Sequence, residues 1–323
     1  MNPPVRLSGI GMARSSGDGA NADDRPDQRL AMVLSALARG GLPVRLFHPI
    51  EEVACQAAYE ALSRAAIAVP FGGEGIGIAI GVDEGIDGIK ARYYQGILTD
   101  GPLGASPLAF PFTTPNTIAA RISILFGLRA ESHTLCGGSL SGAQAIGLAI
   151  ETLRAGRSGA VLAGGATSVE REFLEALGSL GKPDGGQPRC GACLLLLEPQ
   201  AFAAEPKGVA EVIGYGEGFG KDETTDAVQT CLEDAGLSPE HVQSVRVASV
   251  NDARSLAASL HRVGVKAPMV RSPGSDLYSA SFPMAVAEAA QQAANGKPEP
   301  VLIIGRDCVA GASAALVRGQ GRA

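Results

Sequence analysis

The order of elements along the chain repeats. A helical apolar pattern at residues 54–66 precedes an apolar run at 75–82, and a second helical pattern at 141–155 leads into Ser158-Gly-Ala-Val-Leu-Ala-Gly-Gly165. Later, 225–235 precedes 245–250, and 284–294 leads into Pro300-Val-Leu-Ile-Ile-Gly305. Short apolar strands alternating with Ala-rich helices can bury both kinds of apolar face only as helices layered on sheets, which makes the chain α/β. The repeat predicts two similar α/β halves packed together. Strands are predicted at 75–82, 160–163, 193–198, 245–250 and 301–305, and helices at 51–66, 141–155, 225–235, 253–263 and 284–294. Glu198-Pro-Gln-Ala-Phe-Ala-Ala-Glu-Pro-Lys207 breaks the pattern, dividing the chain into an N-terminal half, 1–205, and a C-terminal half, 206–323.

Composition removes several function classes. With 46% apolar residues in 323, a buried core is available. The net charge is -6 and no Lys/Arg run is present, so neither a nucleic-acid footprint nor a polybasic membrane patch is expected. With aromatics at 4% and no Trp, base-stacking platforms are not expected either. Residues 1–13 lack the charged and apolar regions of a signal peptide, and no apolar run approaches a membrane span. The expectation is a cytoplasmic protein with no membrane and no nucleic-acid partner.

Cysteines at 55, 136, 190, 193, 231 and 308 form no disulfide framework, and reduced, mostly buried thiols are expected. Cys190-Gly-Ala-Cys193 has no second pair for a closed zinc site and runs straight into apolar 194–197, which favours core thiols. The glycine clusters at 72–77 and 214–220 complete neither a dinucleotide fingerprint nor a phosphate loop, and read as strand-edge or turn glycines. Neither a metal nor a cofactor is implied.

The segment Thr134-Leu-Cys-Gly-Gly-Ser-Leu-Ser-Gly-Ala-Gln-Ala-Ile-Gly147 reads as strand, turn and buried helix. Ser139 in the turn is either a nucleophile, a polar remnant near the helix start, or a cap. None of the four histidines is well placed to serve it. His48 lies in a Pro-flanked loop, His241 follows Ser238-Pro-Glu, His261 falls on a helix, and the strand turns His133 away. Without a base, Ser139 has no evident activation. Cys136 reads as a buried interface cysteine. Phe110 and Phe112 read as ordinary core residues.

That segment resembles the nucleophile turn of ketoacyl synthases, with Ser139 on the cysteine position. The likeness extends to Ser106-Pro-Leu-Ala-Phe-Pro-Phe-Thr-Thr-Pro-Asn116, to Ala119-Ala-Arg-Ile-Ser-Ile-Leu-Phe-Gly-Leu128 and to Val161-Leu-Ala-Gly-Gly165, and more faintly into the second half. The resemblance implies a thiolase-like fold. It also implies two histidine loops and a glycine-rich turn in the second half, but residues 248–253, 272–281 and 305–311 carry none of these. Retained fold with lost catalytic residues is similar to the chain-length factors, the ketosynthase beta subunits of type II polyketide synthases. This implies a heterodimer with an active ketosynthase alpha subunit, an acyl carrier protein as further partner, and a part in polyketide or polyene biosynthesis. On that resemblance no catalytic residue is expected, and the tunnel and interface residues are Phe110, Phe112, Thr114, His133, Leu135 and Cys136. Strand 132–136 would pair across the dimer, since it otherwise leaves a sheet edge open. The aromatic-polyketide members usually carry Gln at the nucleophile position, and the chain is shorter around 18–25 and 173–189. Two alternatives stay open: an acyltransferase or condensing enzyme using Ser139, and a homodimeric acyl-binding scaffold.

Overall fold

A computed structural model describes residues 2–16, 35, 48–83, 85–170, 174–175, 179, 189–199, 209–249, 253–272, 277–295, 299–307 and 311–320. Ten strands form one sheet: β1 (Val5–Ser16), β2 (Ile76–Val82), β3 (Ser132–Leu135), β4 (Ala160–Val169), β5 (Arg189–Pro199), β6 (Ala210–Gly218), β7 (Ser244–Ser249), β8 (Met269–Arg271), β9 (Val301–Asp307) and β10 (Gly311–Gly319). Their order is β3-β2-β4-β5-β1-β6-β10-β9-β7-β8, so the second five repeat the arrangement of the first five in mirrored sequence. The predicted α/β repeat is present in this order. The proposed boundary near 205 lies outside the described residues.

Seven helices are described: α1 (Pro49–Arg64), α2 (Asp87–Asp100), α3 (Asn116–Phe126), α4 (Ser141–Arg154), α5 (Glu223–Ala235), α6 (Ala253–Val263) and α7 (Ser281–Ala294). Helices α4 and α7 share the central core with strands of both halves, through residues such as Ile146, Ile150, Phe282 and Val286. A second core gathers α1 and α3 on the opposite face of the first five strands, and a third gathers α5 and α6 on the second five. Strands between two apolar layers must be apolar on both faces. Thus in β5, Leu195 and Leu197 enter the central core while Leu194 and Leu196 enter the outer one. The same alternation puts Cys193 in the central core and Cys190 in the outer one, so the C-x-x-C thiols face opposite sides of the sheet. Burial pushes the Cys190 thiol up to about 12 and the Cys193 thiol further.

Strands β1 and β6 owe their approach to the helices to glycine. A Cβ on Gly9 or Gly11 would stand 2.0 or 1.8 Å from the carbonyl oxygens of Ala61 and Ala57 in α1. By the same offset along the chain, Gly214 and Gly216 stand against the carbonyls of Cys231 and Ala227 in α5, each 2.4 Å from an added Cβ. The cluster at 214–220 is therefore largely strand glycine, needed for close helix contact.

The halves join where β1 runs antiparallel to β6, with Val5, Arg6 and Leu7 opposite Val212, Glu211 and Ala210. Arg6 also lies opposite Glu198 of β5, and Glu211 opposite Arg318 of β10. The row across four strands is thus Glu198, Arg6, Glu211, Arg318. Arg6 pairs with Glu198 at a buried position, and Arg318 reaches Glu211 at 2.9 Å. No helix among the described residues is long and apolar enough to cross a membrane.

Candidate functional site

Strand β3 is the terminal strand of the sheet, parallel to β2, and the chain leaves it through Cys136, Gly137 and Gly138 to enter α4. Gly138 takes a positive φ of 73° and makes the turn tight. Ser141 fastens it: its Oγ accepts from the Gly137 N–H at 2.7 Å and donates to the Gly138 carbonyl at 2.7 Å. The N-cap of α4 is Leu140, and no side chain caps the helix, so Ser139 is not a cap. Its hydroxyl instead donates to Oδ2 of Asp307 at 2.6 Å, and its backbone N–H reaches the same oxygen at 3.2 Å.

Asp307 arrives from the far half of the chain, at the end of β9. Gly305, two residues earlier and so on the same strand face, allows the approach: a Cβ there would sit 2.8 Å from Leu140 and 3.0 Å from Phe282. Asp83, just beyond β2, lies in the same neighbourhood. Burial first, then the charges of Asp307 and Asp87, raise its carboxyl above the usual range. The Cys136 thiol is raised by burial and by Asp83, partly offset by Lys90. A thiolate at this turn would meet negative charge where it needs positive charge.

The segment preceding α3 builds a second feature. Phe110–Thr113 forms a 3-10 turn against α2, and a cavity of about 340 Å³ opens among Ile89, Arg92, Tyr93, Leu108, Ala109 and Phe112. The Tyr93 and Phe110 rings are 6.0 Å apart, and the Arg121 guanidinium stands 5.3 Å from the centre of the Phe112 ring. Leu108 of this lining is 83% exposed, and Leu98 of α2 and Leu103 in the turn after it are 86% and 97% exposed, with Tyr94 and Phe110 also exposed. Side chains so large and so bare make an apolar surface of the sort that proteins cover.

Residues 43–192 match the beta-ketoacyl synthase N-terminal domain family. Over its whole length the chain superposes on the ishigamide ketosynthase/chain length factor with a TM-score of 0.74 at 18% identity, covering 100% of both chains. The fold is that of the thiolase-like ketosynthases. A second ketosynthase structure, of a type II polyketide synthase acyl-carrier protein in complex with its ketosynthase bound to the hexaketide, matches with a TM-score of 0.75 at 15% identity, over 99% of this chain and 100% of that one. In sequence, this ketosynthase-like chain is 27% identical over 237 residues to 3-oxoacyl-[acyl-carrier-protein] synthase 2 of Vibrio cholerae. That alignment covers 61% of this chain and 57% of the Vibrio protein, so the chain spans little more than half of that relative's length.

The remaining residues singled out in the ketosynthase-like sequence fall in three places. His133 in β3 turns its ring to Glu131 at 3.3 Å, beside Arg157 and Thr152. Leu135 is part-buried against the central core, whereas Cys136 lies just past β3 and is exposed in the lone chain. Phe110 is exposed and Phe112 half-buried, so neither is a core residue. Thr114 donates to the Pro111 carbonyl at 3.1 Å and holds the turn. His48 is not in a loop: it is the buried N-cap of α1, accepts from the Ile50 N–H at 3.4 Å and pairs with Glu170. His241 meets Ser238 at 2.8 Å, and His261 is exposed on α6.

Of the three segments without the family's catalytic pattern, residues 250–252, 273–276 and 308–310 lie outside the described residues, as does Cys308. The reading of Ser139 as a hydroxyl without a basic partner is corrected by Asp307. Among the described residues no cluster of three His, Cys, Asp or Glu could hold a metal ion.

Proposed function

We propose that this chain is a catalytically degenerate ketosynthase-like subunit, a chain-length factor. It pairs with an active ketosynthase through β3 and its exposed apolar surface, and its cavity walls part of the chamber for an acyl chain delivered by an acyl carrier protein, in type II polyketide or polyene biosynthesis. The observation that carries this reading is the double hydrogen bond from Ser139 to Asp307. A condensing nucleophile needs its backbone N–H free to receive a developing oxyanion and its side chain ionised in a positive field. Here one carboxylate occupies the N–H and holds the hydroxyl proton, and its charge opposes both an oxyanion and a thiolate. The exposed leucines and the open sheet edge both support a partner, since such surfaces are costly to leave in water.

A specific contact favours a second reading. Asp307 is within proton-transfer distance of Ser139, as a general base must be. Against it, an ordinary carboxylate is a weak base toward a hydroxyl, and no separate donor for the oxyanion is offered by Ser139 itself.

Two measurements divide the readings. Co-expression with a ketosynthase should give a co-purifying heterodimer whose condensation is abolished by removing the partner's nucleophile and unaffected by Ser139→Ala here. Incubation with acyl carrier protein thioesters should leave this chain's mass unchanged. An acyl adduct on Ser139, lost in Ser139→Ala, would overturn the proposal in favour of the enzyme.

A further inference from the structure

Arg121 connects the cavity wall to the buried core. It projects from α3 with its side chain only 13% exposed, and its Nε lies 3.6 Å from Oε1 of Glu51. The Glu51 side chain is 3% exposed in the first turn of α1, a helix packed along β1 and β5. On its other side the guanidinium stands over Phe112, which lines the cavity with Ile89, Tyr93 and Leu108. A guanidinium is flat: a carboxylate can meet its edge while an aromatic ring meets its face. An ammonium group has charge but no such face. A buried carboxylate deprived of its cation is costly, so Glu51 holds the guanidinium in place. The ring of Phe112 is thereby tied to α1 rather than left to swing in its half-open turn.

From this juxtaposition we propose that Arg121 is a positioning residue: clamped by Glu51, it fixes the Phe112 ring as the wall that limits how long an apolar acyl chain the cavity admits. The inference rests on the reading of the cavity as an acyl chamber. Charge on Arg121 is not sufficient for the role, because the face of the guanidinium is what braces the ring.

The test compares product lengths from the chain co-expressed with its ketosynthase, for the native chain, Phe112→Ala, Arg121→Met and Arg121→Lys. Phe112→Ala is expected to lengthen products. Both Arg121 variants are expected to broaden the distribution, with a several-fold rise in the share of longer products, and Arg121→Lys is expected to leave the yield of complex unchanged. Arg121→Lys keeps a charge opposite Glu51, so it reports on the brace even where Arg121→Met does not fold. Longer products from Phe112→Ala with native lengths from the Arg121 variants would overturn the clamp and leave the chamber reading standing. Native lengths from Phe112→Ala, or no complex at all, would overturn the chamber reading and the clamp together.

Discussion

In the turn before α4, Ser139 directs both its hydroxyl and its backbone N–H at one oxygen of Asp307, and that arrangement fixes how a thiol would behave in the same place. A cysteine at 139 would sit among the charges of Asp307 and Asp83, which raise a thiol pKa and keep it protonated. In a Cys136→Ala background, Ser139→Cys is expected to react with iodoacetamide at pH 7 more slowly than free cysteine. Adding Asp307→Asn should speed alkylation by about tenfold, the effect of about one pKa unit. Equal rates in the two variants would show that Asp307 does not set the field. Asp83 gives a second expectation. Its folded pKa is raised, so its contribution to stability is fully present below the unfolded value of 3.8 and is lost as pH rises through the folded value. Asp83→Asn should therefore raise Tm at pH 7.5 and raise it less at pH 4.5. Ser139 could be found in the sequence because its neighbours are contiguous. Asp307 could not, because it lies 168 residues away and reaches the turn only through the fold. The faint signal was Gly305 two residues before it, on a strand that extends past the predicted end at 305.

At the scale of elements, most helices with a buried stripe were legible, although α3, which buries Ile118, Ala119, Ile122, Leu125 and Phe126, was not among those predicted. The helix predicted at 253–263 is found over those residues as α6, and that predicted at 141–155 is α4 to within one residue. Helix α2 was not predicted, since only Gly88 and Ile89 of its 14 residues are buried and no apolar period marks it. Strands β1 and β6 were missed as strands because glycines occupy positions where alternating apolar side chains would stand. Those glycines are consequential. Gly11→Ala would drive a methyl group to within 1.8 Å of the Ala57 carbonyl, and Gly216→Ala one to within 2.4 Å of the Ala227 carbonyl. Each is expected to cost at least about 1–3 kcal/mol, the usual range for overpacking, read as a fall in the denaturant midpoint. Ala13→Gly, on the same face of β1 two residues along, serves as a control for strand glycine alone.

For the whole molecule, the seam between β1 and β6 is the element that makes two five-stranded arrays one body. Its alternating charges are mostly buried, so the pairs matter less for their attraction than for what happens when one is broken. Arg6→Met leaves Glu198 buried without its cation and is expected to cost about 3–5 kcal/mol in chemical denaturation. Arg6→Met with Glu198→Leu should recover most of that loss, and no recovery would mean that Arg6 acts elsewhere. The repeat was legible in the sequence as an order of helices and strands, but this row was not, because its four members are brought together only by strand register.

The same row makes the repeat asymmetric in charge. The relation that carries β1 onto β6 carries Arg6 onto Glu211 and Glu198 onto Arg318. Two first halves set edge to edge would bring arginine against arginine, and two second halves would bring glutamate against glutamate. Only the unlike pairing is complementary, so the seam recognises the other half and rejects its own kind. Two fragments that each contain one half, if they fold, should therefore reassemble as a mixed pair and not as like pairs.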